Sequence, residues 1–460
     1  MIKLRKTGHL HFVGIGGIGM SGIAEVLLNL GYRISGSDLV KSDTTDRLGE
    51  LGGEIYKGHD PGNIEGADVV IISSAVRPDN PEIVAARLNG IPVIPRAIML
   101  NELMRMKYGI AVAGSHGKTT TTSMIATIMA QAQVDPTIII GGKLDILGTN
   151  ARLGEGDYLV AEADESDGSF LHLSPTIAVV TNIDNEHMDY FGTFEELKKA
   201  FRLFLDKVPF YGKAVLCLDD EEVAGLLAEL ERPYVTYGLT TQATIMADDV
   251  TYSGFASSYR AYSRGNELGE ITLNVPGQYN VYNSLAAIAV GLELDIPFKE
   301  ISTALAGFGG LQRRFQLIGE VGGISVYDDY GHHPTEIRVT LAAAREGWKG
   351  RVIAIFQPHR YSRTRDLLNE FGTAFHNADE VLVCDIYAAG EDVIEGLTGR
   401  DVAETIVKHG HHSTRYVGSK EEAVDAALAV TAPGDFVITL GAGDIWQAAQ
   451  TLLNKLGEGS

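Results

Sequence analysis

The chain contains the segment Ile110-Ala-Val-Ala-Gly-Ser-His-Gly-Lys-Thr-Thr-Thr-Thr122, in which an apolar run leads into glycines, a lysine and threonines. The run that ends at Ala113 is typical of a buried strand, and residues 119–132 have the pattern of a helix. Gly114 and Gly117 allow a tight turn between these two elements. Such a turn places backbone N–H groups and a helix N-terminus around a phosphate. The segment therefore predicts a nucleoside triphosphate site.

Lys118 and Thr119 follow this turn at positions that can bind phosphate and metal. We expect the Lys118 amine to reach a terminal phosphate and the Thr119 hydroxyl to ligate Mg²⁺. The frequent pattern G-x-x-x-x-G-K-[ST] has a glycine where this chain has Val112. A turn with a purely structural role is the alternative, but Gly-Lys-Thr between a strand and a helix favours the phosphate site.

The composition is that of a globular protein with several domains. The chain has 460 residues, with 38 Lys and Arg against 60 Asp and Glu, which gives a formal charge of −22. This acidity makes nucleic acid or an anionic membrane surface an unsuitable partner. The two cysteines, Cys217 and Cys384, are far apart in the sequence, which is typical of a protein from a reducing cytoplasm.

Three basic residues precede the apolar segment 10–20, an arrangement that resembles a signal peptide. Five of the eleven residues in this segment are Gly or His, which weakens that interpretation. A membrane span needs about 18 consecutive apolar residues, and the sequence has no such run. We therefore expect a cytoplasmic protein.

Residues 10–38 have the pattern strand, glycine turn, helix, strand. Gly14, Gly16 and Gly19 fit the G-x-G-x-x-G motif, and Asp38 ends the second strand, where the ribose of a bound nucleotide would lie. Two kinds of ligand fit this motif, a dinucleotide such as NAD and another diphosphate such as a nucleotide-sugar. A structural role, in which the glycines only allow a helix to approach a strand closely, is the third interpretation.

Strands and helices alternate along most of the chain. We predict a Rossmann-like domain at 1–107, a central P-loop-type domain with a mainly parallel sheet at 108–313, and a second Rossmann-like domain at 314–460. Within the central domain, residues 243–275 form short alternating segments rich in Thr, Ser and Tyr, which predict a β-rich insertion. The predicted fold class is therefore α/β, with three domains.

Acidic residues and a histidine follow the strands of the central domain. Ligands bind beyond the carboxyl ends of parallel strands. Glu162, Asp164 and His187 are therefore expected to surround the phosphates held by Lys118. Carboxylate oxygens suit Mg²⁺, whereas a lone histidine on a loop can equally be a polar surface residue.

Two asparagines lie at the start of a predicted helix after the β-rich insertion. Asn280 and Asn283 are three residues apart and share a helix face, so their amides could read the edge of a base. Helix capping by Asn280 is the alternative, and the pattern alone favours it.

Three polar clusters follow strands of the last domain, at 328–334, 357–363 and 385–391. The carboxyl ends of parallel strands share one edge of a sheet, so these clusters are expected to form a small-ligand site. Arg360 and Arg363 are suited to clamping a carboxylate or a phosphate. A diphosphate site, a nucleotide–Mg²⁺ site and a carboxylate site in one chain indicate ATP-driven joining of a nucleotide-linked acid to a small partner.

The combination of motifs resembles the Mur ligase family. The resemblance extends from end to end of the chain and rests on Gly14-Ile-Gly-Gly-Ile-Gly-Met-Ser-Gly22, Gly114-Ser-His-Gly-Lys-Thr-Thr-Thr121, Glu162-Ala-Asp-Glu-Ser-Asp167, Thr181-Asn-Ile183, His187-Met-Asp189, Asn280 with Asn283, Arg313-Arg-Phe-Gln316, Asp328-Asp-Tyr-Gly-His-His-Pro334 and His359-Arg-Tyr-Ser-Arg363. It implies a bacterial cytoplasmic enzyme of peptidoglycan synthesis, a monomer or weak homodimer, that uses ATP and two Mg²⁺ ions. The implied reaction joins L-alanine to the carboxylate of UDP-N-acetylmuramate through an acyl phosphate and releases ADP and phosphate.

The resemblance also implies roles for individual residues. Those assigned to ATP are Gly114, Ser115, His116, Gly117, Lys118, Thr119, Thr120, Asn280, Asn283 and Arg314. Those assigned to the UDP-sugar are Gly14, Gly16, Gly17, Gly19, Met20, Ser37, Asp38, Ser73, Ser74 and Ala75. Tyr330, His332, Arg360 and Arg363 are assigned to the amino acid, and Thr119, Glu162 and His187 to the metal. The residues expected to act in catalysis are Lys118, Glu162, His187, His332 and Arg360.

Other functions fit parts of the sequence. The nearest alternative is a recycling ligase that adds a tripeptide to the same UDP-sugar. A nicotinamide-dependent dehydrogenase is favoured only by the first glycine motif and Asp38, and a regulatory nucleotide-binding protein would not need the polar clusters of the last domain.

The base that accepts the proton of the amino-acid amine is also open, with His332 and His333 as the candidates.

Overall fold

The computed structural model describes residues 7–73, 75–140 and 151–458, which form three sheets with helices between their strands. The predicted α/β class with mainly parallel sheets is confirmed by the order and direction of the strands. None of the helices in this part of the chain has the length and apolar character needed to span a bilayer.

The first sheet is formed by β1 (His9–Val13), β2 (Arg33–Asp38), β3 (Glu54–Lys57), β4 (Val69–Ile72) and β5 (Val93–Pro95). Its helices are α1 (Ile18–Asn29), α2 (Asp43–Glu50), α3 (Pro81–Leu88) and α4 (Arg96–Arg105), with a 3₁₀ helix at Pro61–Ile64. The strands are parallel, in the order β3-β2-β1-β4-β5. The order reverses between β1 and β4, and doubly wound sheets bind ligands at such a reversal.

The central sheet is formed by β6 (Tyr108–Ala113), β7 (Thr137–Ile139), β8 (Ala151–Arg152), β9 (Tyr158–Glu162), β10 (Ile177–Val180), β11 (Lys213–Cys217), β12 (Tyr234–Gly238), β13 (Ile245–Ser253), β14 (Ala256–Ser263) and β15 (Asn266–Leu273). The helices are α5 (Lys118–Gln131), α6 (Met188–Phe191), α7 (Phe194–Leu205), α8 (Glu221–Leu226), α9 (Gln278–Glu293) and α10 (Phe298–Ala306), with 3₁₀ helices at Ser169–His172 and Leu227–Glu229. The strand order is β15-β14-β13-β12-β11-β10-β6-β9-β7-β8.

Strand β6 lies between β9 and β10 and is parallel to both. The turn from Gly114 to Gly117, between β6 and α5, is called the phosphate turn because the sequence predicts phosphate binding there. It lies beside the carboxyl ends of two neighbouring strands. The segment predicted as a β-rich insertion contains β13, β14 and β15, which extend one edge of the same sheet.

The third sheet is formed by β16 (Gln316–Val321), β17 (Ile324–Asp329), β18 (Val352–Phe356), β19 (Glu380–Cys384), β20 (Thr414–Gly418) and β21 (Phe436–Leu440). Its helices are α11 (Pro334–Gly347), α12 (Tyr361–Asp366), α13 (Leu368–Thr373), α14 (Gly399–Lys408), α15 (Lys420–Val430) and α16 (Trp446–Glu458). The order is β16-β17-β21-β18-β19-β20, in which β16 is antiparallel to β17 and the other pairs are parallel.

Contacts divide the chain into two compact units. Unit 1 comprises the described residues of Met1–Asp248, Arg260–Ile271 and Tyr282–Gly307, and unit 2 those of Asp249–Tyr259, Thr272–Val281 and Phe308–Ser460. The first sheet belongs to unit 1 and the third sheet to unit 2. The domain limits expected from the sequence, at 107 and 313, stay a prediction.

The core of unit 2 is rich in aromatic side chains. Phe436 of β21 is fully buried, and its ring centroid lies 4.5 Å from that of Tyr327 on the neighbouring strand β17. The rings of Phe255 and Phe315 each lie 5.7 Å from that of Phe436. A buried aromatic side chain contributes through its large apolar surface and through these ring contacts. Phe436 is therefore a central residue of this core.

We expect Phe436→Ala to lower the free energy of unfolding of unit 2 by about 3–5 kcal/mol, because it leaves a cavity among the remaining rings. Chemical denaturation followed by tryptophan fluorescence measures this change, since both tryptophans, Trp348 and Trp446, belong to unit 2. Leu317→Ala is the control, because Leu317 lies in β16 of the same sheet and the residue is 49% exposed. Equal losses in the two variants would contradict the proposed importance of the aromatic core.

Candidate active site

The glycine turn after β1 is held by the end of β2. The N–H group of Gly14, which has a φ of +79°, donates to the carbonyl oxygen of Ser37 at 2.8 Å. The Asp38 carboxylate accepts from the N–H of Gly16 at 2.9 Å and from that of Val40 at 3.2 Å. Asp38 therefore shapes the turn, and its contact with a ribose hydroxyl stays a prediction.

Two glycines of this turn lie against other side chains. A Cβ atom at Gly16 would be 2.8 Å from the Asp38 carboxylate, and one at Gly19 would be 2.6 Å from the guanidinium of Arg96. Arg96 begins α4, and its Nη2 is 3.5 Å from Oδ2 of Asp164, which follows β9. Arg96 therefore connects the glycine turn with the acidic end of a central strand.

The other residues predicted for the UDP-sugar lie partly at the sheet edge and partly in the core. Those at the carboxyl ends of β1 and β4 are Gly17, Ser73 and Ala75. Met20 is buried at 1% exposure, and the Ser37 hydroxyl donates to Glu82 at 2.6 Å. Ser74 lies outside the described residues.

The phosphate turn is fixed to the end of β10 by hydrogen bonds. Ser115 donates its N–H to the carbonyl of Asn182 at 3.0 Å, and His116 donates its N–H to the Asn182 side chain at 2.8 Å. The Thr181 hydroxyl donates to the carbonyl of His116 at 2.6 Å. Gly114 has a φ of +132°, and a Cβ atom there would overlap the Thr181 hydroxyl. Only glycine therefore fits this position without displacing β10.

The phosphate turn ends at Gly117, the N-cap residue of α5, with Thr119 and Thr120 in the first helical turn. A Cβ atom at Gly117 would be 2.5 Å from Oδ1 of Asn283, which also accepts from the Thr121 hydroxyl at 3.2 Å. Asn283 therefore packs against the phosphate turn. Its expected contact with adenine stays a prediction.

Asn280 does not cap α9. The helix begins at Gln278, so Asn280 lies inside its first turn. Its Nδ2 donates to the carbonyl of Pro276 at 2.8 Å, whereas a capping side chain accepts from an N–H group. The capping interpretation that the pattern favoured is therefore wrong.

The Lys118 amine lies at the centre of the phosphate turn. It donates to the carbonyl of Gly114 at 2.6 Å, to that of Ser115 at 3.1 Å and to Oε1 of Glu165 at 2.7 Å. Burial alone would lower the pKa of Lys118, but Glu165, assisted by Asp164, raises it above its ordinary value. Lys118 is therefore a fixed positive charge where the sequence predicts phosphate binding.

Glu165, Glu186 and His187 form a possible metal site. Each offers one ligand atom, and these three atoms lie within 4.8 Å of one another. Glu165 is 1% exposed, and its Oε2 has no hydrogen-bond partner among the described residues. His187 Nε2 is 3.6 Å from Glu165 and 3.7 Å from Glu186. Two hard carboxylates, one of which has a buried unpaired oxygen, and an imidazole fit a divalent cation such as Mg²⁺.

Glu162 ends β9, and its backbone pairs with Val112 of β6. It therefore lies at the same sheet edge as Thr119, beside the phosphate turn. The possible metal site includes His187 from the predicted metal set, and it contains Glu165 and Glu186 in addition. Glu162 and Thr119 as metal ligands stay a prediction.

The polar edge of the third sheet belongs to unit 2. Arg313 donates from Nε to Asp328 at 3.0 Å and from Nη2 to the carbonyl of Gly441 at 2.6 Å. The guanidinium groups of Arg313 and Arg314 lie 5.0 and 5.3 Å from the ring centroid of Tyr330. Both guanidinium groups are therefore close enough to the Tyr330 ring, at the end of β17, for cation–π contact.

Two histidines and an arginine meet at this edge. The ring centroids of His332 and His359 are 5.8 Å apart, and Arg363 Nη1 donates to His359 Nδ1 at 3.3 Å. Burial lowers the pKa of His332 to about 3, and Arg363 adds to the effect against an opposing effect of Glu336. Burial and then Arg363 lower the pKa of His359 to about 4. Both rings are therefore neutral at pH 7, beside a charged guanidinium.

The other residues predicted for the third domain differ in their surroundings. Arg360 is exposed and has a φ of +69°, and its N–H donates to the carbonyl of Tyr387 at 2.8 Å. Arg314 Nη1 is 3.5 Å from Glu336, and its expected contact with the nucleotide stays a prediction. His333 caps α11, since its Nδ1 accepts from the N–H of Thr335 at 3.3 Å.

Several site residues have an unusual backbone conformation. His187, Arg313 and Arg360 have φ values of +59°, +59° and +69°. A residue other than glycine adopts this region at a cost of about 1–3 kcal/mol, and such strain is concentrated at functional sites. The strain therefore supports a functional role for the loops that follow β10 and β18 and for the one that precedes β16.

Sequence reasoning gave no role to four residues of these clusters. Glu165 and His359 lie within the motifs that carry the family resemblance, and Glu186 is adjacent to His187. All three follow a strand, and this position was the sequence signal that could have indicated a role at the site. Arg96 precedes a helix in an ordinary pattern, and the sequence contains no signal for its contacts with Gly19 and Asp164.

Three family models match the chain in succession. The model of the Mur ligase family, catalytic domain, matches residues 9–108, that of the Mur ligase middle domain 112–291, and that of the Mur ligase, glutamate ligase domain, 313–443. The UDP-N-acetylmuramate–L-alanine ligase of Geotalea uraniireducens is 59% identical over 451 residues, which are 98% of each chain.

Solved structures agree with these matches. The UDP-N-acetylmuramate–alanine ligase of Thermotoga maritima has a TM-score of 0.83 at 30% identity, over 98% of this chain and 100% of that one. A murein peptide ligase of Psychrobacter arcticus has a TM-score of 0.71 at 25% identity, over 98% of both chains. The three-domain fold and the family expected from the sequence are confirmed, and the chain belongs to the Mur ligase family.

Proposed function

We propose that the chain joins L-alanine to the carboxylate of UDP-N-acetylmuramate at the expense of ATP, in bacterial peptidoglycan synthesis. The Geotalea uraniireducens relative, which is 59% identical over 98% of each chain, carries the name of this ligase, and so does the Thermotoga maritima structure. The observation that carries the proposal is the phosphate turn around Lys118, held against β10 beside the group of Glu165, Glu186 and His187. A turn of this kind serves phosphoryl transfer, which the activation of a carboxylate requires.

The proposed reaction has two steps. The muramyl carboxylate attacks the γ-phosphate of ATP, which gives an acyl phosphate and ADP. The amine of L-alanine then attacks the acyl carbon, an amide bond forms and phosphate leaves. A carboxylate is a poor electrophile, and its phosphorylation provides the leaving group. No covalent enzyme nucleophile is needed in either step.

The phosphate turn is proposed to hold the ATP phosphates through the residues from Gly114 to Thr120. The positive charge of Lys118 would offset the charge on the transferring phosphoryl oxygens. Asn283, which packs against this turn, is proposed to belong to the same ATP site. The assignment of Asn280 and Arg314 to ATP stays a prediction.

Glu165, Glu186 and His187 are proposed to hold Mg²⁺, and Thr119 and Glu162 to hold a second ion. Bound there, Mg²⁺ would neutralise charge on the phosphates. The buried unpaired oxygen of Glu165 supports this assignment for the first ion.

The UDP-sugar is proposed to bind at the glycine turn of the first sheet. The turn is at the point where the strand order reverses, and a helix N-terminus follows it. Both features favour a diphosphate.

L-Alanine is proposed to bind at the polar edge of the third sheet, with its carboxylate at Arg360 and Arg363. Tyr330 and His332 would line the same site. The amine must lose a proton before it attacks, and His332 and His333 remain the two candidate bases, of which His333 caps α11.

We also propose a cytoplasmic location and a monomer or weak homodimer. The substrates, ATP and UDP-N-acetylmuramate, are cytoplasmic metabolites, and the chain carries a formal charge of −22. This charge disfavours binding to nucleic acid or to an anionic membrane surface.

The proposed function is tested by measuring ADP release with UDP-N-acetylmuramate and a panel of amino acids and peptides. We expect release with L-alanine and none with L-alanyl-γ-D-glutamyl-meso-diaminopimelate. Lys118→Ala, which removes the charge at the centre of the turn, should lower turnover by at least about a hundredfold. Release driven by the tripeptide alone would identify a recycling ligase instead.

For the metal site, we expect Glu165→Gln and His187→Ala each to raise the Mg²⁺ concentration at half-maximal activity by at least about fivefold, because each removes a proposed ligand. Glu221→Gln is the control, since Glu221 is exposed at the start of α8. Titration of activity with Mg²⁺ measures the effect. An unchanged Mg²⁺ requirement in both site variants would mean that the ion binds elsewhere.

For the amino-acid site, we expect Arg363→Lys to raise the KM for L-alanine by at least about tenfold, because an ammonium cannot form the paired hydrogen bonds of a guanidinium. Arg360→Lys should have a smaller effect, since Arg360 is exposed. Arg365→Lys is the control, because Arg365 pairs with Asp366 on the exposed side of α12. A rise in the KM for ATP alone would place these arginines at the phosphates.

A further inference from the structure

A buried carboxylate lies beneath one face of the first sheet. Glu82, the second residue of α3, is 0% exposed and accepts from the Asn63 side chain at 2.7 Å and from the Ser37 hydroxyl at 2.6 Å. Its Oε2 is 3.1 Å from Nδ1 of His59, and its Oε1 is 3.6 Å from Nε2 of His11. A carboxylate without contact with water is costly unless such partners satisfy it, so the group is a specific arrangement.

The arrangement determines where His59 carries its proton. The single hydroxyl proton of Ser37 is donated to Glu82, so the Ser37 oxygen can only accept from His59 Nδ1, which is 2.9 Å away. A lone pair on Nδ1 would also face the carboxylate oxygen of Glu82 and be repelled. Nδ1 therefore bears the hydrogen, and Nε2 of a neutral His59 bears the lone pair.

His59 lies at the ligand edge of the first sheet. It follows β3, and the N–H of the preceding Gly58 donates to the carbonyl of Asp38 at 2.7 Å. The ring keeps 16% of its surface exposed, and Nε2 makes no hydrogen bond within the described part of the chain. The neighbouring Ser37 carbonyl also accepts from Gly14. The carboxyl end of β2 is thus hydrogen-bonded both to the glycine turn and to His59 and its neighbour Gly58.

We propose that Glu82 is a positioning residue that holds His59 as a hydrogen-bond acceptor for the uridine part of the UDP-sugar. The inference rests on the proposed function. Phosphate oxygens carry no hydrogen at neutral pH, so an accepting nitrogen suits an N–H or O–H donor, such as the uracil imide or a ribose hydroxyl. The glycine turn follows β1, and β2 lies between β1 and β3 in the sheet. His59, which follows β3, is therefore on the side of the turn where nucleosides bind in this type of fold.

The first test measures the KM of three variants for each substrate. His59→Ala and Glu82→Gln should raise the KM for UDP-N-acetylmuramate about five- to tenfold, as expected for one lost hydrogen bond, and leave the KM for ATP and for L-alanine within about twofold. Glu54→Gln, an exposed change on β3, should leave all three unchanged. An unchanged KM for the UDP-sugar in His59→Ala overturns the inference.

The second test measures the His59 tautomer by ¹⁵N chemical shifts of the ring, at a pH where the ring is neutral. The wild type should show hydrogen on Nδ1, and Glu82→Gln should show a mixture of tautomers. A wild-type ring with hydrogen on Nε2 would overturn the positioning role of Glu82, whether or not Glu82→Gln folds. Glu82→Asp, which keeps the charge, should retain the Nδ1 tautomer.

The third test identifies the donor through inhibitors that compete with the UDP-sugar at saturating ATP. Loss of affinity for 3-methyluridine diphosphate relative to UDP assigns the imide, and loss for 2′-deoxyuridine diphosphate assigns the hydroxyl. Either loss should vanish in His59→Ala. Inhibition by pyrophosphate should be the same in wild type and His59→Ala, and a weaker effect in the variant would move His59 to the diphosphate and overturn the inference. A wild type that releases no ADP with UDP-N-acetylmuramate would refute the proposed function instead.

Discussion

The hydrogen bonds between the phosphate turn and the end of β10 are the constraint on which the central site depends. Thr181 and Asn182 hold the turn from one side, and the close approach of Thr181 to Gly114 leaves room only for a hydrogen at that position. Because the turn cannot move independently of the sheet, the backbone of Lys118 has a fixed position. Its Nζ donates to Oε1 of Glu165 at 2.7 Å. The sheet therefore sets the distance between the Lys118 amine, which is proposed to bind phosphate, and the acidic group beside it.

The electrostatics of the site oppose those of the chain as a whole. The formal charge is −22, yet the ligands proposed for this enzyme are anions. Lys118 and Arg96 both pair with carboxylates, so their charges are already partly balanced. Besides these cations, an anionic nucleotide would be held by donors concentrated in a small volume, such as backbone N–H groups, helix N-termini and a divalent cation. The two glycine turns, each followed by a helix, supply such donors in this strongly acidic protein.

The sequence predicted the elements well because strands, glycine turns and helices leave local patterns. Lys118 and His187 were predicted for the same reason, since each stands in or beside a motif at a strand end. Glu82 was not predicted, because its partners His59 and Ser37 come from separate strands and only the fold brings them together. The capping interpretation of Asn280 was wrong because an N-cap residue and one that lies three positions further into the helix look alike in sequence.

The contact of Arg96 with both Gly19 and Asp164 has a thermodynamic consequence. Arg96 pairs with Asp164 and lies close to Gly19, so a ligand at the glycine turn that draws the guanidinium toward it would change the charge balance at Asp164. Linkage requires this influence to be mutual: whatever factor the first ligand applies to the affinity for the second, the second applies to the first. Arg96, at the start of α4, would in this way couple the affinities of the two proposed sites within unit 1.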